Sequence, residues 1–436
     1  MVAFVGFPMV YTLGMAFTQY SGSNLLTFIQ ARDYLLAQHE PARVRYPFSL
    51  HDSAAGVRLS VDLGDRGRWI SPPLADVPPD RANPARLHPD TPISTELGPV
   101  LDLRDRIKWR DVMVRWHWLD GDGTVLQLYT LRDLAPLEPR YVQGDDDSLL
   151  ELSTGQRLRP DYSRGYFIDS HGASVAPGFV AYAGLTNFVR VLTDTGIRGP
   201  LFSIFLWTTA FAAMSVALTL ILGLVLANVL QWAPLRGRAV YRTMLILPAA
   251  VPSFISILVF RGLFNQNAGE INLMLNALFG IQPEWFSHTG YARAMLLIVN
   301  TWLGYPYMML LSMGFIQAIP RDLYEASALD GAGVWANLRQ ITAPLVLKPM
   351  APLLIASFAF NFNNFVLIAL LTSGGPDHIG ASTPAGTTDL LVSYTYRIAF
   401  QDSGQHFALA AAITTFIFVV VGVMAWLHLR VAKVEV

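Results

Sequence analysis

Leu201–Trp232 reads LFSIFLWTTAFAAMSVALTLILGLVLANVLQW and contains no charged side chain. The hydrocarbon core of a bilayer takes ~20 consecutive apolar residues in a helix, and this stretch exceeds that. Four later stretches have the same character: Thr243–Phe264, Ala294–Ala318, Leu345–Thr372 and Phe407–Leu429. A sixth, from Met1 to about Thr18, is slightly short. It lacks the cationic start and small-residue cleavage site of a signal peptide. The first charge in the chain is Arg32, so this stretch reads as a span whose beginning lies upstream. The predicted fold class is an all-α polytopic membrane protein of six spans, with a mostly β soluble domain inserted after the first.

Composition agrees. The chain is 53% hydrophobic and 14% charged, against about 25% charged in soluble domains. A net charge of -1 gives no basis for nucleic-acid binding. The absence of cysteine excludes disulfides and thiolate chemistry, and the scattered histidines form no zinc motif, so neither a metal site nor a catalytic group is expected.

Lys and Arg in short loops set orientation. Arg236, Arg238 and Arg242 follow the second span, Arg321, Arg339 and Lys348 the fourth, and Arg430 and Lys433 the sixth. The alternate loops hold only Arg261, Arg293 and Arg397. The richer set should be cytoplasmic, which places both chain ends inside and residues 19–199 outside. The chain then divides into a first span (1–18), an external domain (19–199) and a five-helix core (200–436) with a cytoplasmic loop at 319–345.

The external segment is rich in Arg, Asp and Pro. Val112, Val114 and Trp116, then Asp120-Gly121-Asp122-Gly123, then Val125–Tyr129 read as a hairpin around a tight turn. A calcium loop starting at Asp120 would need a Glu at its twelfth position, and Leu131 stands there. Asp145-Asp146-Asp147 reads as a solvated loop, and Gly184–Phe188 as an interfacial helix start.

The loop after the fourth span runs Pro320-Arg321-Asp322-Leu323-Tyr324-Glu325-Ala326-Ser327-Ala328-Leu329-Asp330-Gly331-Ala332-Gly333, then through Trp335 to Ile341-Thr342-Ala343-Pro344. Leu323, Ala326 and Leu329 have helical spacing. Asp322 can cap the start, Gly331 can end the helix left-handed, and a second short helix should stop at Pro344. None of the three lysines, Lys108, Lys348 and Lys433, sits in a phosphate-cradling glycine loop, so any ATP must be hydrolysed by a partner.

Two spans carry polar faces. Asn300, Gly304 and Tyr307 recur at i, i+4, i+7, beside Pro306, which can break the helix locally. Ser357, Asn361 and Asn364 share a face beside Phe360. Amides suit neutral hydroxyl-rich ligands, and Tyr307 and Phe360 can pack on a sugar ring. Helix–helix contact explains such a set equally well on residue type alone. No Asp, Glu or His lies mid-span, which disfavours an ion-coupled carrier.

Glu325-Ala326-Ser327 with Asp330-Gly331-Ala332 and Ile341-x-x-Pro344 resembles the EAA loop of ABC-importer permeases. Asn300–Tyr307, Ser357–Phe365, Gly374-Gly375-Pro376 and Thr388–Leu391 are similar to MalF-type subunits of maltose/maltodextrin importers, closely from about Leu201 onward. The resemblance implies a membrane subunit translocating maltose or maltodextrin by alternating access. It implies that Glu325, Ala326, Asp330 and Gly331 couple to an ATPase subunit. It places sugar contacts at Ser253, Asn300, Leu303, Gly304, Tyr307, Ser357, Phe360, Asn361 and Asn364. The implied partners are a MalG-like second permease, a MalK-like ATPase dimer carrying the ATP and magnesium, and a periplasmic sugar-binding protein; the chain itself takes no cofactor. The family has two further spans upstream, and a tyrosine where Ala249 stands, which leaves the preferred sugar open. Trehalose or another neutral oligosaccharide is the alternative cargo. A membrane-anchored sensor is the alternative class, though an anchor needs neither a coupling loop nor a polar stripe.

Overall fold

The computed structural model describes residues 6–74, 80–90, 97–232 and 234–431. It forms two compact units, one of Met1–Ser23 with Tyr182–Val436 and one of Asn24–Ala181. Helix α1 covers Phe7–Met15; Lys433 and the first five residues of the expected opening span lie outside the described residues.

Asn24–Ala181 is mostly β. Strand Tyr46–Ser53 turns back on Gly56–Asp62 with Ser53 opposite Gly56. Alternation buries Phe48 and Leu50 on the first strand and Val57, Leu59 and Val61 on the second. The sheet extends through Arg68–Ile70 on one side and through Asp133–Pro139 and Val125–Leu128 on the other. A second sheet, from Tyr141–Gln143 to Ser174–Val175, is an antiparallel meander. Helix α2 (Phe28–Leu36) begins with a Thr27–Gln30 capping box and packs Ala31 and Leu35 into a core with Phe167 and Phe179.

The hairpin is present but shorter than expected. His117–Leu119 pairs with Val125–Leu128, with Leu119 opposite Val125. Val112 and Val114 lie instead at the end of helix α3 (Leu103–Met113), which starts where the Asp102 carboxylate accepts from the Asp105 N–H at 2.8 Å. A strong helix start upstream outweighed the two valines. The Asp120 carboxylate accepts from the backbone N–H groups of Asp122 (3.0 Å) and Thr124 (2.8 Å) and pairs with Arg66 at 2.8 Å. One of its oxygens is taken by the turn itself and the other by Arg66.

Glu151 gives this unit an acid sensitivity. Its carboxylate accepts from Thr154 Oγ1 at 2.6 Å and from Arg140 at 2.9 Å, and these bonds hold its pKa below the ordinary glutamate value of 4.5. A depressed carboxylate contributes stability that is full above the unfolded pKa and is lost as pH falls through the folded one. Acid unfolding followed by far-UV circular dichroism should therefore show a weaker pH dependence in Glu151→Gln than in the parent below pH ~4.5. Identical profiles would remove Glu151 from the account.

The second unit is helical: α4 (Thr186–Thr193), α5 (Thr195–Gln231), α6 (Arg238–Ala250), α7 (Ser253–Leu263), α8 (Glu270–Phe279), α9 (Thr289–Gln317), α10 (Arg321–Leu329), α11 (Val334–Asn337), α12 (Ala343–Phe362), α13 (Phe365–Leu371), α14 (Leu391–Tyr396) and α15 (Phe407–Val431). Among the described residues α5, α9 and Val334–Phe362 are each long and apolar enough to cross a membrane. The pair α6 and α7 passes the same test only together. Helix α15 is apolar over Phe407–Val423. Helix α4 is tied to the end of the first helix by Asn187, whose buried Nδ2 donates to the carbonyls of Ala16 and Thr18 at 2.9 and 2.8 Å. The main packing is α5 on α9. A Cβ on Gly223 would lie 2.7 Å from the backbone N of Met309, so glycine is what lets the two backbones meet.

Two expected spans are not straight. Thr243–Phe264 is bent by 91° between α6 and α7. Pro252 lacks the N–H needed to continue the helix, and Val251 before it is held extended at φ -88°, ψ 131°. The fifth span breaks at Asn363 and resumes as α13, which starts where the Asn364 Oδ1 accepts from the Leu367 N–H at 3.3 Å.

Candidate functional site

The two breaks lie on elements that touch, since α7 packs on α13. A broken span exposes backbone groups that a continuous helix would satisfy, and inside a membrane such a place is tolerated where it lines a cavity or is buried in protein. Ala249 and Ser253 flank the first break, Asn361 and Asn364 the second.

Between the spans the amides form a chain. Asn300 Nδ2 donates to Asn361 Oδ1 at 2.7 Å, and Asn364 Nδ2 donates to Asn300 Oδ1 at 3.2 Å. Asn361 Nδ2 in turn donates to the Ser357 carbonyl at 2.8 Å. Asn300 and Asn361 are each 6% exposed. The two polar faces therefore pair with each other here, which is the contact that residue type left open.

The remaining residues of the set divide. Phe360 is 71% exposed, and Ser253 and Tyr307 are exposed too. Leu303 is partly buried against the apolar cluster around Val299 and Leu367. A Cβ on Gly304 would meet the Thr219 methyl on α5 at 2.8 Å, so the absence of a side chain lets α9 approach α5 closely here. Pro306 does not break α9, which runs unbroken from Thr289 to Gln317. Tyr305 beside it is buried and donates its hydroxyl to the Leu245 carbonyl at 3.0 Å.

The loop after α9 is exposed. Helix α10 holds Glu325 and Ala326 on its exposed surface, and Asp330 and Gly331 follow it, with Gly331 at φ +76°. Two expectations change. Pro320, not Asp322, occupies the capping position, and no side chain caps the start. Pro344 stops nothing, because the chain passes from α11 through a π-turn at Leu338–Thr342 straight into α12. A proline in the first turn after such a shift costs no ladder bond. The π-turn is anchored to α10 by the Tyr324 hydroxyl, 2.9 Å from the buried Thr342 Oγ1. Tyr324, Leu338 and Ile341 pack inward, while the side chains at the tip stand in the open: Leu329 is 90% and Trp335 72% exposed.

One polar cluster was missed from sequence. The Asp389 carboxylate is fully buried and accepts from Arg397 Nη1 at 2.8 Å, Ser393 Oγ at 2.7 Å and the Gly386 N–H at 2.7 Å. Arg293 donates from Nε and Nη2 to the Thr387 carbonyl at 3.0 and 2.9 Å and stacks over Trp207. These contacts lock residues 374–389, which connect α13 to α14. The sequence signals were two arginines beside apolar stretches, Arg293 and Arg397, and the spacing of four between Asp389, Ser393 and Arg397.

Family models match parts of both units. Residues 219–433 match the family described as "Binding-protein-dependent transport system inner membrane component". Residues 26–184 match the "Maltose transport system permease protein MalF P2 domain". The "Maltose/maltodextrin transport system permease protein MalF" of Vibrio parahaemolyticus is 49% identical over 444 residues, covering 100% of this chain and 83% of that one. The protein of the same name from Yersinia pestis is 49% identical over 441 residues, covering 99% and 83%. Among solved structures, a bacterial alginate ABC transporter in complex with an alginate pentasaccharide-bound periplasmic protein has a TM-score of 0.49 at 21% identity, covering 58% of this chain and 85% of that one. The chain belongs to the maltose/maltodextrin transport permeases, the inner-membrane subunits of binding-protein-dependent ABC importers.

Proposed function

We propose that this permease carries maltose or maltodextrin past the two helix breaks and is driven through its exposed loop by ATPase subunits of a partner dimer. In this reading the chain has no ATPase site of its own, and ATP and magnesium stay on the partner. A second permease subunit completes the translocation path. The Asn24–Ala181 unit lies in the periplasm, where a sugar-loaded binding protein delivers its cargo, and α10 and the C-terminus lie in the cytoplasm. The substrate meets Phe360, Tyr307 and Ser253 on the open surface, and the Asn300–Asn361–Asn364 chain supplies amides when the spans part.

The observation that carries this reading is the loop tip. Leu329, Val334 and Trp335 are large apolar side chains left in the open around a left-handed Gly331. Such a patch supports a docking surface for another protein. The ATPase cleft would close on it when ATP binds, and the Tyr324–Thr342 contact would pass that movement into α12, which carries Phe360 and Asn361. Maltose fits the amide set better than an anionic sugar, since the two polar faces contain no cation.

The test is co-purification with the ATPase subunit. Leu329→Asp is expected to reduce recovered ATPase at least tenfold, and Glu325→Ala to reduce it less while abolishing sugar-stimulated ATP hydrolysis. Full recovery and full stimulation in both variants would sink the coupling assignment.

A further inference from the structure

Where α5 and α9 end and α6 and α10 begin, a cavity of about 590 Å3 is lined by Arg238, Arg242 and Arg321 with Gln231 and Gln317. Its volume lies in the range of ligand pockets, ~300–1,000 Å3. The coupling reading uses the far end of α10, around Leu329, and gives the cavity at its Arg321 end no role. We propose that it is a binding site for the headgroup phosphate of an anionic phospholipid.

The charge pattern selects an anion. Arg238 and Arg242 stand four apart on α6, on one face, and Arg321 opens α10 across the cavity. No carboxylate lines it among the described residues. Three guanidiniums around one space give it a positive potential, screened by water and salt, that an anion entering it would meet. Both α6 and α10 also bring their N-termini to the cavity, where backbone N–H groups and the helix dipole favour negative charge. Arg238 Nε donates to the Leu235 carbonyl at 3.3 Å, which holds its head near the helix start, and Gln231 Nε2 donates to the Met313 carbonyl at 3.0 Å.

The position selects a lipid over a free anion. Helices α5 and α9 are spans, so their ends lie at the depth of the headgroups. Leu230 and Met313 close its floor from the buried core, and beside it Val229 on α5 and Val240 and Met244 on α6 are exposed apolar side chains. A phosphodiester can set its phosphate among the cations and run its acyl chains over that apolar surface, whereas inorganic phosphate uses only the cations. Basic pockets between spans at the cytoplasmic face are the known physical setting for headgroup capture. The inference rests on the cytoplasmic placement of α10 given above.

The experiment is native mass spectrometry of the detergent-solubilised transporter complex, titrated with phosphatidylglycerol and, separately, phosphatidylcholine. The parent complex is expected to retain phosphatidylglycerol selectively at low occupancy of other lipids. Arg242→Gln with Arg321→Gln should weaken that binding roughly 30-fold, taking each cation near the surface as worth about fivefold. Arg242→Lys with Arg321→Lys should keep most of it, and Arg261→Gln, far along α7, should change nothing. Equal binding in the Gln variant, or no preference over phosphatidylcholine, would overturn the site. Displacement of the lipid by equimolar glycerol 3-phosphate would overturn the lipid in favour of a free phosphate ester. Retention only after the ATPase subunits are stripped would overturn it in favour of an acidic protein partner. Failure of the importer reading would instead appear as loss of the subunits from the spectrum, independently of lipid.

Discussion

Asp389→Ala is expected to destabilise the helical unit by about 3–5 kcal/mol, the cost of leaving a buried partner charge uncompensated. The Asp389 side chain is 0% and the Arg397 side chain 12% exposed, and they meet at 2.8 Å. With the carboxylate gone, Arg397 keeps only Asp377 at 2.7 Å, whose side chain is 66% exposed and well hydrated. The Ser393 hydroxyl and the Gly386 N–H lose their acceptor as well. Gly386 packs so closely on the Gly374 carbonyl that no side chain would fit there. The connection between α13 and α14 should therefore loosen as one piece. Thermal unfolding of the detergent-solubilised protein measures the loss. The double variant Asp389→Leu/Arg397→Met should lose much less than the two single variants combined, because removing both charges also removes their desolvation cost. Additive losses would mean that the two side chains act separately.

This cluster shows where the sequence was readable and where it was not. The spans were legible because lipid demands long uncharged stretches, and Leu201–Trp232 meets that demand whatever its neighbours do. Gly331 was legible because a left-handed residue after Asp330 favours glycine, and it stands at φ +76°. The breaks were harder. Pro306 and Pro252 look alike in sequence, yet α9 runs through the first and the chain bends 91° at the second. A proline's effect depends on whether neighbours rescue the freed carbonyl, and periodicity does not report neighbours. The Asn300–Asn361 bond joins residues 61 positions apart, and Arg397 reaches Asp389 along one side of α14, where Asp389, Ser393 and Arg397 follow at intervals of four; that spacing fits the pairing but does not say that it would be buried. The sequence named the amides but could not say that they would face one another.

That mutual contact makes Asn361→Leu the more informative change for transport. It removes the acceptor at 2.7 Å from Asn300 Nδ2 and leaves that amide 6% exposed beside an apolar chain. Losing one buried hydrogen-bond partner costs about 1–3 kcal/mol, so stability should fall within that range. If the amides also contact sugar when the spans part, kcat/KM for sugar uptake should fall by roughly 10–100-fold, the same energy taken from the translocation step. Stability alone cannot separate packing from substrate contact, and Phe360 supplies the separation. Its ring is 71% exposed, so Phe360→Ala should leave the unfolding temperature unchanged. Packing a sugar on the ring buries part of its apolar surface, worth on the order of 1 kcal/mol, so KM should rise roughly fivefold. Uptake of labelled maltose into proteoliposomes holding the assembled transporter measures both. Loss in Asn361→Leu with a silent Phe360→Ala would return the amide chain to helix packing. Loss in both, with stability affected only in the first, would place the sugar path along α12, at the break that the sequence marked with asparagines.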